Sequence, residues 1–188
     1  MRSSNVSFQA NFIKPVKILK KVGREKFVAY PVSVVEIDTN NIGDVRALRA
    51  ISLSWDKYNY VQDIYEDVSR LRLGGDDGSQ MHVFAITLQR DNFDKINKDD
   101  IVGVAEFVEN KELNELVYLQ VEPEHNYGNM ESQFKHIGKS ILNFLEEKFF
   151  EKPIKVFSTG SAIDFYLKNG FSAMPNNCKS TARCLWNA

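Results

Sequence analysis

One stretch near the middle of the chain carries residue types that could hold an anion. Gln133-Phe134-Lys135-His136-Ile137-Gly138-Lys139-Ser140 stands where an extended segment gives way to helical spacing. A helix start leaves backbone N–H groups without acceptors, and the aligned peptide dipoles make that end electropositive. Gly138 lets a ligand come close to the main chain, and Lys135 and Lys139 add charge. The stretch therefore reads as a phosphate seat, the alternative being an ordinary helix start that binds nothing. Two other groupings fail on spacing. Gly74-Gly75-Asp76-Asp77-Gly78 has an acidic pair but not the ligand spacing of an EF-hand, and reads as a loop. Cys178 and Cys184 do not combine with His82, His125 and His136 at zinc spacing. They are expected to be reduced thiols, with a bridge across a hairpin as the alternative, and no metal is expected.

The elements around the seat must position it. Before it, residues 115–121 read as a strand, with Val117, Leu119 and Val121 on one side and Leu116 and Tyr118 on the other. Apolar residues on both faces mark a central strand, and Pro123 ends it. After it, Ile137, Ile141, Leu142 and Leu145 follow helical spacing, so the helix begins close to Gly138. Residues 154–158 form the next strand, and strand–helix–strand in this order implies a right-handed crossover and a parallel pair. Residues 161–168 form a short helix closed by Asn169-Gly170, and Phe171 and residues 182–186 begin the last two strands.

Upstream, residues 27–37 are β-branched and aromatic and read as a strand, which Pro31 marks as an edge or a bulge. Residues 38–41 supply capping side chains to a helix with Val45, Leu48 and Ile51 on one face. A second helix carries Tyr58, Val61, Tyr65, Val68 and Leu71 at spacings of three and four. Tyr65 reads as core packing, while Trp55 and Tyr60 are candidates for lining a substrate pocket. Residues 81–89 and 101–108 read as antiparallel neighbours joined by a charged connection.

The 188 residues, 43% hydrophobic and 26% charged, suit one α/β domain with a full core. A net charge of −1 argues against nucleic acid as the main partner, since phosphate neutralisation needs an excess of Lys and Arg. Residues 1–26 are the exception, with Arg2, Lys14, Lys17, Lys20, Lys21, Arg24 and Lys26 against Glu25. They read as a basic arm or an added strand ahead of a domain spanning 27–188. No apolar run is long enough for a membrane span and the N-terminus lacks a secretory core, so a cytoplasmic protein is expected.

The element order β, α, α, β, β, β, α, β, α, β, β, with Leu119-Gln120-Val121-Glu122-Pro123, residues 133–142 and residues 162–171, resembles the GNAT superfamily of acyl-CoA-dependent N-acetyltransferases over residues 27–188. Residues 133–138 look like its [Q/R]-x-x-G-x-[G/A] pyrophosphate motif, and residues 162–171 like its A-x-x-x-Y-x-x-x-G-F helix and strand. The resemblance implies a mixed, mostly antiparallel α/β (α+β) sheet with a splayed central parallel strand pair and helices on both faces. It also implies transfer of an acetyl group from acetyl-CoA to a primary amine of a small molecule or protein. A non-catalytic acyl-CoA-binding or sensing domain is the alternative.

By the same resemblance, main-chain groups of Leu119, Gln120 and Val121 would pair with the pantetheine arm, and a backbone N–H near Val121 would polarise the thioester carbonyl. The pyrophosphate would sit on residues 133–140. Tyr166 matches the family's general acid. Glu115, six residues before Val121, matches the base of the histone-acetyltransferase-like branch, with Glu106 and Glu122 as further candidates. Three departures stand out. His136 replaces the motif's first glycine, residues 124–132 are an insertion, and Thr159 stands where many relatives have an Asn that contacts the pantetheine arm. A monomer or homodimer is expected.

Overall fold

The structure, a computed structural model, describes residues 7–8, 10–55, 60–72, 80–125, 131–173 and 183–187. Tyr58, the glycine-rich turn at 74–78, the middle of the insertion (126–130) and the Cys178–Cys184 pairing lie outside these residues. In chain order the elements are β1 (Ser7–Phe8), β2 (Asn11–Lys21), β3 (Phe27–Glu36), α1 (Ile42–Ser54), α2 (Tyr60–Arg72), β4 (Gln80–Thr87), β5 (Ile96–Asn97), β6 (Ile101–Glu109), β7 (Asn114–Val121), β8 (Phe134–Lys135), α3 (Ile137–Lys148), β9 (Ile154–Ser158), α4 (Ile163–Lys168), β10 (Ser172–Ala173) and β11 (Arg183–Asn187). Nine strands form one sheet in the order β10-β11-β9-β7-β6-β4-β3-β2-β8, and β1 pairs with β5 apart from it. The β7–β9 pair is parallel and the other ladders are antiparallel, as the crossover through α3 requires.

Alternation along the strands splits the core into two layers. Val34, Phe84 and Ala105 face α3 with Ile141, Leu142 and Leu145. Their neighbours Val35, Ala85 and Val104 face α1 and α2, meeting Leu48, Ile51, Ile64 and Val68. On α1 the expected face is buried, and Asn41 caps the helix through a 2.7 Å bond from Gly43 N–H to its side-chain oxygen. On α2 the buried stripe is Val61, Ile64 and Val68, whereas Leu71 is exposed. Trp55, a candidate pocket residue, is buried in the α1–α2 core instead. No helix among the described residues is long and apolar enough to cross a membrane.

The basic segment forms β2, paired with β3 from Asn11 to Lys21. It also anchors α3. Ser140 Oγ donates to the Lys17 carbonyl at 2.7 Å, and Lys14 Nζ meets Glu147 at 2.6 Å. Pro31 lies on an interior strand, but β4 covers β3 from Ser33 to Glu36, so at Pro31 no β4 ladder bond is lost.

Gly103 on β6 sets how closely α3 approaches the sheet. A β-carbon there would stand 2.7 Å from Ile137 Cγ2 and 3.2 Å from Ile141 Cδ1. Both side chains are buried, so relief requires moving the start of α3. We expect Gly103→Ala to destabilise the fold by about 1–3 kcal/mol. An unchanged urea midpoint would show that α3 shifts without cost.

Candidate active site

The site begins where two central strands part. β7 and β9 pair at Asn114↔Ile154, Glu115↔Lys155 and Leu116↔Val156, and among the described residues the ladder ends there. At the same point β7 bulges. Glu106 faces Tyr118 and Phe107 faces Leu116, leaving Val117 as an extra residue on β7. The bulge reverses the parity of the strand. Leu116, Leu119 and Val121 all belong to the α3 layer, and Tyr118 to the α1–α2 layer, whereas simple alternation puts Leu116 with Tyr118. Beyond the bulge, Glu122 N–H donates to the Val102 carbonyl at 3.0 Å. Successive residues of an antiparallel strand turn their main-chain groups to opposite edges. Gln120 therefore turns its N–H and C=O towards β6, while Leu119 and Val121 turn theirs into the gap beside β9.

The start of α3 closes one end of that gap. The helix begins at Ile137, and Ser140 N–H already bonds the His136 carbonyl at 2.9 Å. With the Ser140 N–H taken by His136, the first-turn N–H groups that no carbonyl of the helix can reach are those of Ile137, Gly138 and Lys139. Gly138 is buried, and a β-carbon on it would stand 3.1 Å from Phe165 Cζ and 3.7 Å from Val121 Cγ2. Its missing side chain lets α3 close against α4 and the end of β7, which brings the helix start to the gap.

The preceding residues are held by the edge strand. Phe134 and Lys135 face Lys20 and Leu19 of β2, and the Gln133 carbonyl accepts from Lys21 N–H at 2.8 Å. The Phe134 ring is buried against Tyr30 and His125, and the exposed Lys135 lies over the Phe27 ring. Lys139 is exposed on the first turn of α3.

His136 caps α3 with φ 65° and ψ 17°, a left-handed backbone that glycine adopts freely and an L-residue does not. A glycine here, as in the motif that residues 133–138 resemble, would meet this backbone demand without strain. Because the His136 ring is exposed and makes no capping bond, His136→Gly should stabilise the protein by roughly 0.5–1 kcal/mol, strain relief outweighing the added unfolded-state entropy. A lowered melting temperature would mean that the ring contributes contacts worth more than the strain.

The carboxylate candidates separate by environment. Glu115 lies in the closed part of the β7–β9 ladder, ion-paired with Lys155 at 2.8 Å. Glu122, at the other end of β7, stands 3.5 Å from His125 Nε2. Burial, then Glu124 and Asp99, raise its pKa to about 7, with Lys98 opposing. Glu106 sits beside the bulge, 3% exposed, and its Oε2 has no hydrogen-bond partner among the described residues. Burial first, then Asp67, Asp63 and Glu115, push its pKa up to about 8 against the opposing Arg70. A carboxyl group poised near neutrality, with a free oxygen, can accept a proton.

From Glu106 a run of tyrosines leads to the α3–α4 side. Tyr118 is its cross-strand partner, and the Tyr60 ring stacks on Tyr118 at 5.7 Å. Tyr60 in turn acts on Tyr166, whose phenol is pushed well up, chiefly by burial. The Tyr166 ring is fixed edge-on between Phe165 and Phe171. Sequence reading picked out Tyr60 and Tyr166 but not Tyr118, nor the side chain of Gln120. Its Oε1 accepts from Val61 N–H at 2.9 Å, satisfying a first-turn donor of α2 and tying that helix to β7. No local pattern marks either role. Thr159 precedes α4, its hydroxyl 3.4 Å from that of Ser161.

No protein-family model matches the chain, and no curated protein matches it by sequence. Solved structures do match. A PaiA N-acetyltransferase from Thermoplasma acidophilum, in complex with coenzyme A, aligns with a TM-score of 0.52 at 14% identity, over 83% of this chain and 98% of that one. Tetrahymena GCN5 aligns with a TM-score of 0.54 at 13% identity, over 83% and 94%. An acyl-CoA N-acyltransferase from Pseudomonas aeruginosa aligns with a TM-score of 0.53 at 12% identity, over 84% and 99%. With its strand order, its parallel pair opening at a bulge and these likenesses, the chain has the GNAT acetyltransferase fold.

Proposed function

We propose that this chain is an acetyl-CoA-dependent N-acetyltransferase acting on a primary amine. The observation that carries the reading is the coincidence, at one point of the sheet, of the end of the β7–β9 ladder and the Val117 bulge, beside the buried Glu106, whose Oε2 has no hydrogen-bond partner among the described residues. The geometry fits acyl-CoA. Leu119 and Val121 offer main-chain groups to an extended arm, and Ile137, Gly138 and Lys139 offer N–H groups to an anion at the helix dipole. Acetyl-CoA supplies an activated acyl thioester when bound.

The residues of the chain then divide the work. Glu106 takes the proton that an ammonium must lose before its nitrogen can attack, and its raised pKa narrows the gap to that of an alkylammonium. Val121 N–H, turned away from β6, donates to the developing oxyanion. Tyr166, kept protonated by burial, donates a hydrogen bond to the departing sulfur. Glu115, a charged neighbour of Glu106 held by Lys155, is the competing base.

Two measurements test the reading. Acetyl-CoA should raise the melting temperature, because a ligand that binds only the folded state adds stability. Free CoA thiol should then appear over a panel of amines. A thermal shift without thiol release from any amine would instead mark a non-catalytic acyl-CoA-binding domain.

A further inference from the structure

A row of polar side chains crosses the α3 layer at the end of the sheet away from the gap. Glu36 on β3 is the cross-strand partner of Phe84, Glu109 on β6 shares a face with Phe107, and Asn114 on β7 shares one with Leu116. Phe84, Phe107 and Leu116 all belong to the α3 layer. Between them the His82 ring of β4 stacks on Phe84 and meets Phe149, the residue that ends α3. His82 Nδ1 lies 2.5 Å from Glu36 Oε1, and since a carboxylate only accepts, Nδ1 carries the proton. His82 Nε2 is buried without a hydrogen-bond partner among the described residues, with Glu109 Oε2 3.9 Å away. Glu109 Oε1 in turn stands 3.5 Å from Lys152 Nζ.

Beside this row is a cavity of about 270 Å³, lined by Glu109, Asn114 and the residues that end α3. Asn114 is 1% exposed, and its Oδ1 has no hydrogen-bond partner among the described residues. A buried acceptor left without a donor costs stability, so this atom calls for a donor brought by an occupant. Lys148 stands exposed on the same lining, its ammonium over the Phe84 and Phe149 rings rather than on a carboxylate. The charges of the lining balance, Glu109 and Glu151 against Lys148 and Lys152. A ligand with a net charge gains little from such a wall, whereas one that carries both signs can face both. Phe150, 78% exposed, lines the same cavity and offers an aromatic face to an apolar group.

We propose that this cavity binds a free α-amino acid with an apolar side chain. Its ammonium meets Asn114 Oδ1 and Glu109, its carboxylate meets Lys148, and its side chain lies against Phe150. The site does not rest on the acetyltransferase reading. Asn114 begins β7, whereas the acyl-CoA gap opens beyond Leu116.

The test uses the full chain without acetyl-CoA and probes that divide the ligand: L-leucine, 3-methylbutylamine, which lacks the carboxylate, and 4-methylpentanoate, which lacks the ammonium. Leucine should raise the melting temperature, and calorimetry should give it a Kd about 10- to 100-fold below that of either fragment. Asn114→Leu, which removes the acceptor and keeps the bulk, should weaken leucine binding by about 10- to 100-fold. Lys148→Ala, at an exposed position, should weaken it by about 2- to 5-fold. Each shift is measured from the variant's own baseline. If no probe shifts the melting temperature, the cavity holds only water and the site is overturned. A fragment that binds as tightly as leucine overturns the amino-acid class. If both variants bind leucine as the wild type does, leucine sits elsewhere, the amine side of the acetyl-transfer site included, and the cavity is not its site. Should Asn114→Leu fail to fold, Lys148→Ala and the two fragments still decide.

Discussion

Glu106→Gln should lower acetyl transfer by about 10²–10⁴-fold, the usual contribution of a positioned general base. The substitution keeps the shape of the side chain and removes its capacity to take a proton. In the wild type, kcat/KM should climb with pH and level off above about 8, where Glu106 is ionised. The variant should lose that limb and depend instead on the fraction of acceptor already deprotonated in solution. Burial sets the limb first, then Asp67, Asp63 and Glu115, which also raise the pKa, and Arg70, which lowers it.

Stability gives a second readout. The folded-state pKa of Glu106, about 8, lies above its ordinary value of 4.5, so folding favours the protonated form. That contribution is fully present below about pH 4.5 and is lost as pH rises through about 8. Glu106→Gln, which cannot ionise, should therefore gain on the wild type in melting temperature as pH goes from 5 to 8. If Glu115→Gln removes the activity limb and Glu106→Gln keeps it, the base is Glu115.

Tyr166→Phe should cut turnover by roughly 100-fold, the lower end of the range for proton-transfer groups, while leaving acetyl-CoA affinity nearly unchanged. The ring would keep its edge-on contacts with Phe165 and Phe171, so a folding defect is not expected. The reason for the smaller effect is electrostatic. Burial pushes the phenol pKa up, while a thiol ionises at about 8.5. Full transfer of the Tyr166 proton to the sulfur is then uphill, and the group acts as a hydrogen-bond donor while the charge develops. Turnover at the wild-type level would remove Tyr166 from the mechanism.

Much of the architecture is written in short-range patterns. Apolar residues on both faces of 115–121 mark a central strand, and β7 does lie between β6 and β9. The change of spacing at Ile137 marks the start of α3, and Gly170, at φ 94°, closes α4 as its position after Asn169 suggests. Alternation, capping and glycine placement are properties of a few adjacent residues, so they survive in the sequence alone.

The site is less legible because its features are set by partners far along the chain. The Val117 bulge depends on how β7 registers against β6, and it moves Leu116 to the side opposite that given by simple alternation. Ser140 is read as part of a phosphate seat, yet its hydroxyl belongs to Lys17 on the edge strand. The local pattern ahead of Val121 favours Glu115 over Glu106 on the adjacent strand, but neither local sequence shows which carboxylate is desolvated. Tertiary packing alone decides that. It buries Glu106 opposite the carboxylates of α2 and gives Glu115 the Lys155 ammonium. The sequence by itself determined the order of the main strands and helices and the start of α3. The tertiary structure decided which carboxylate is poised to take a proton, because desolvation and charge proximity exist only once the strands and helices have met.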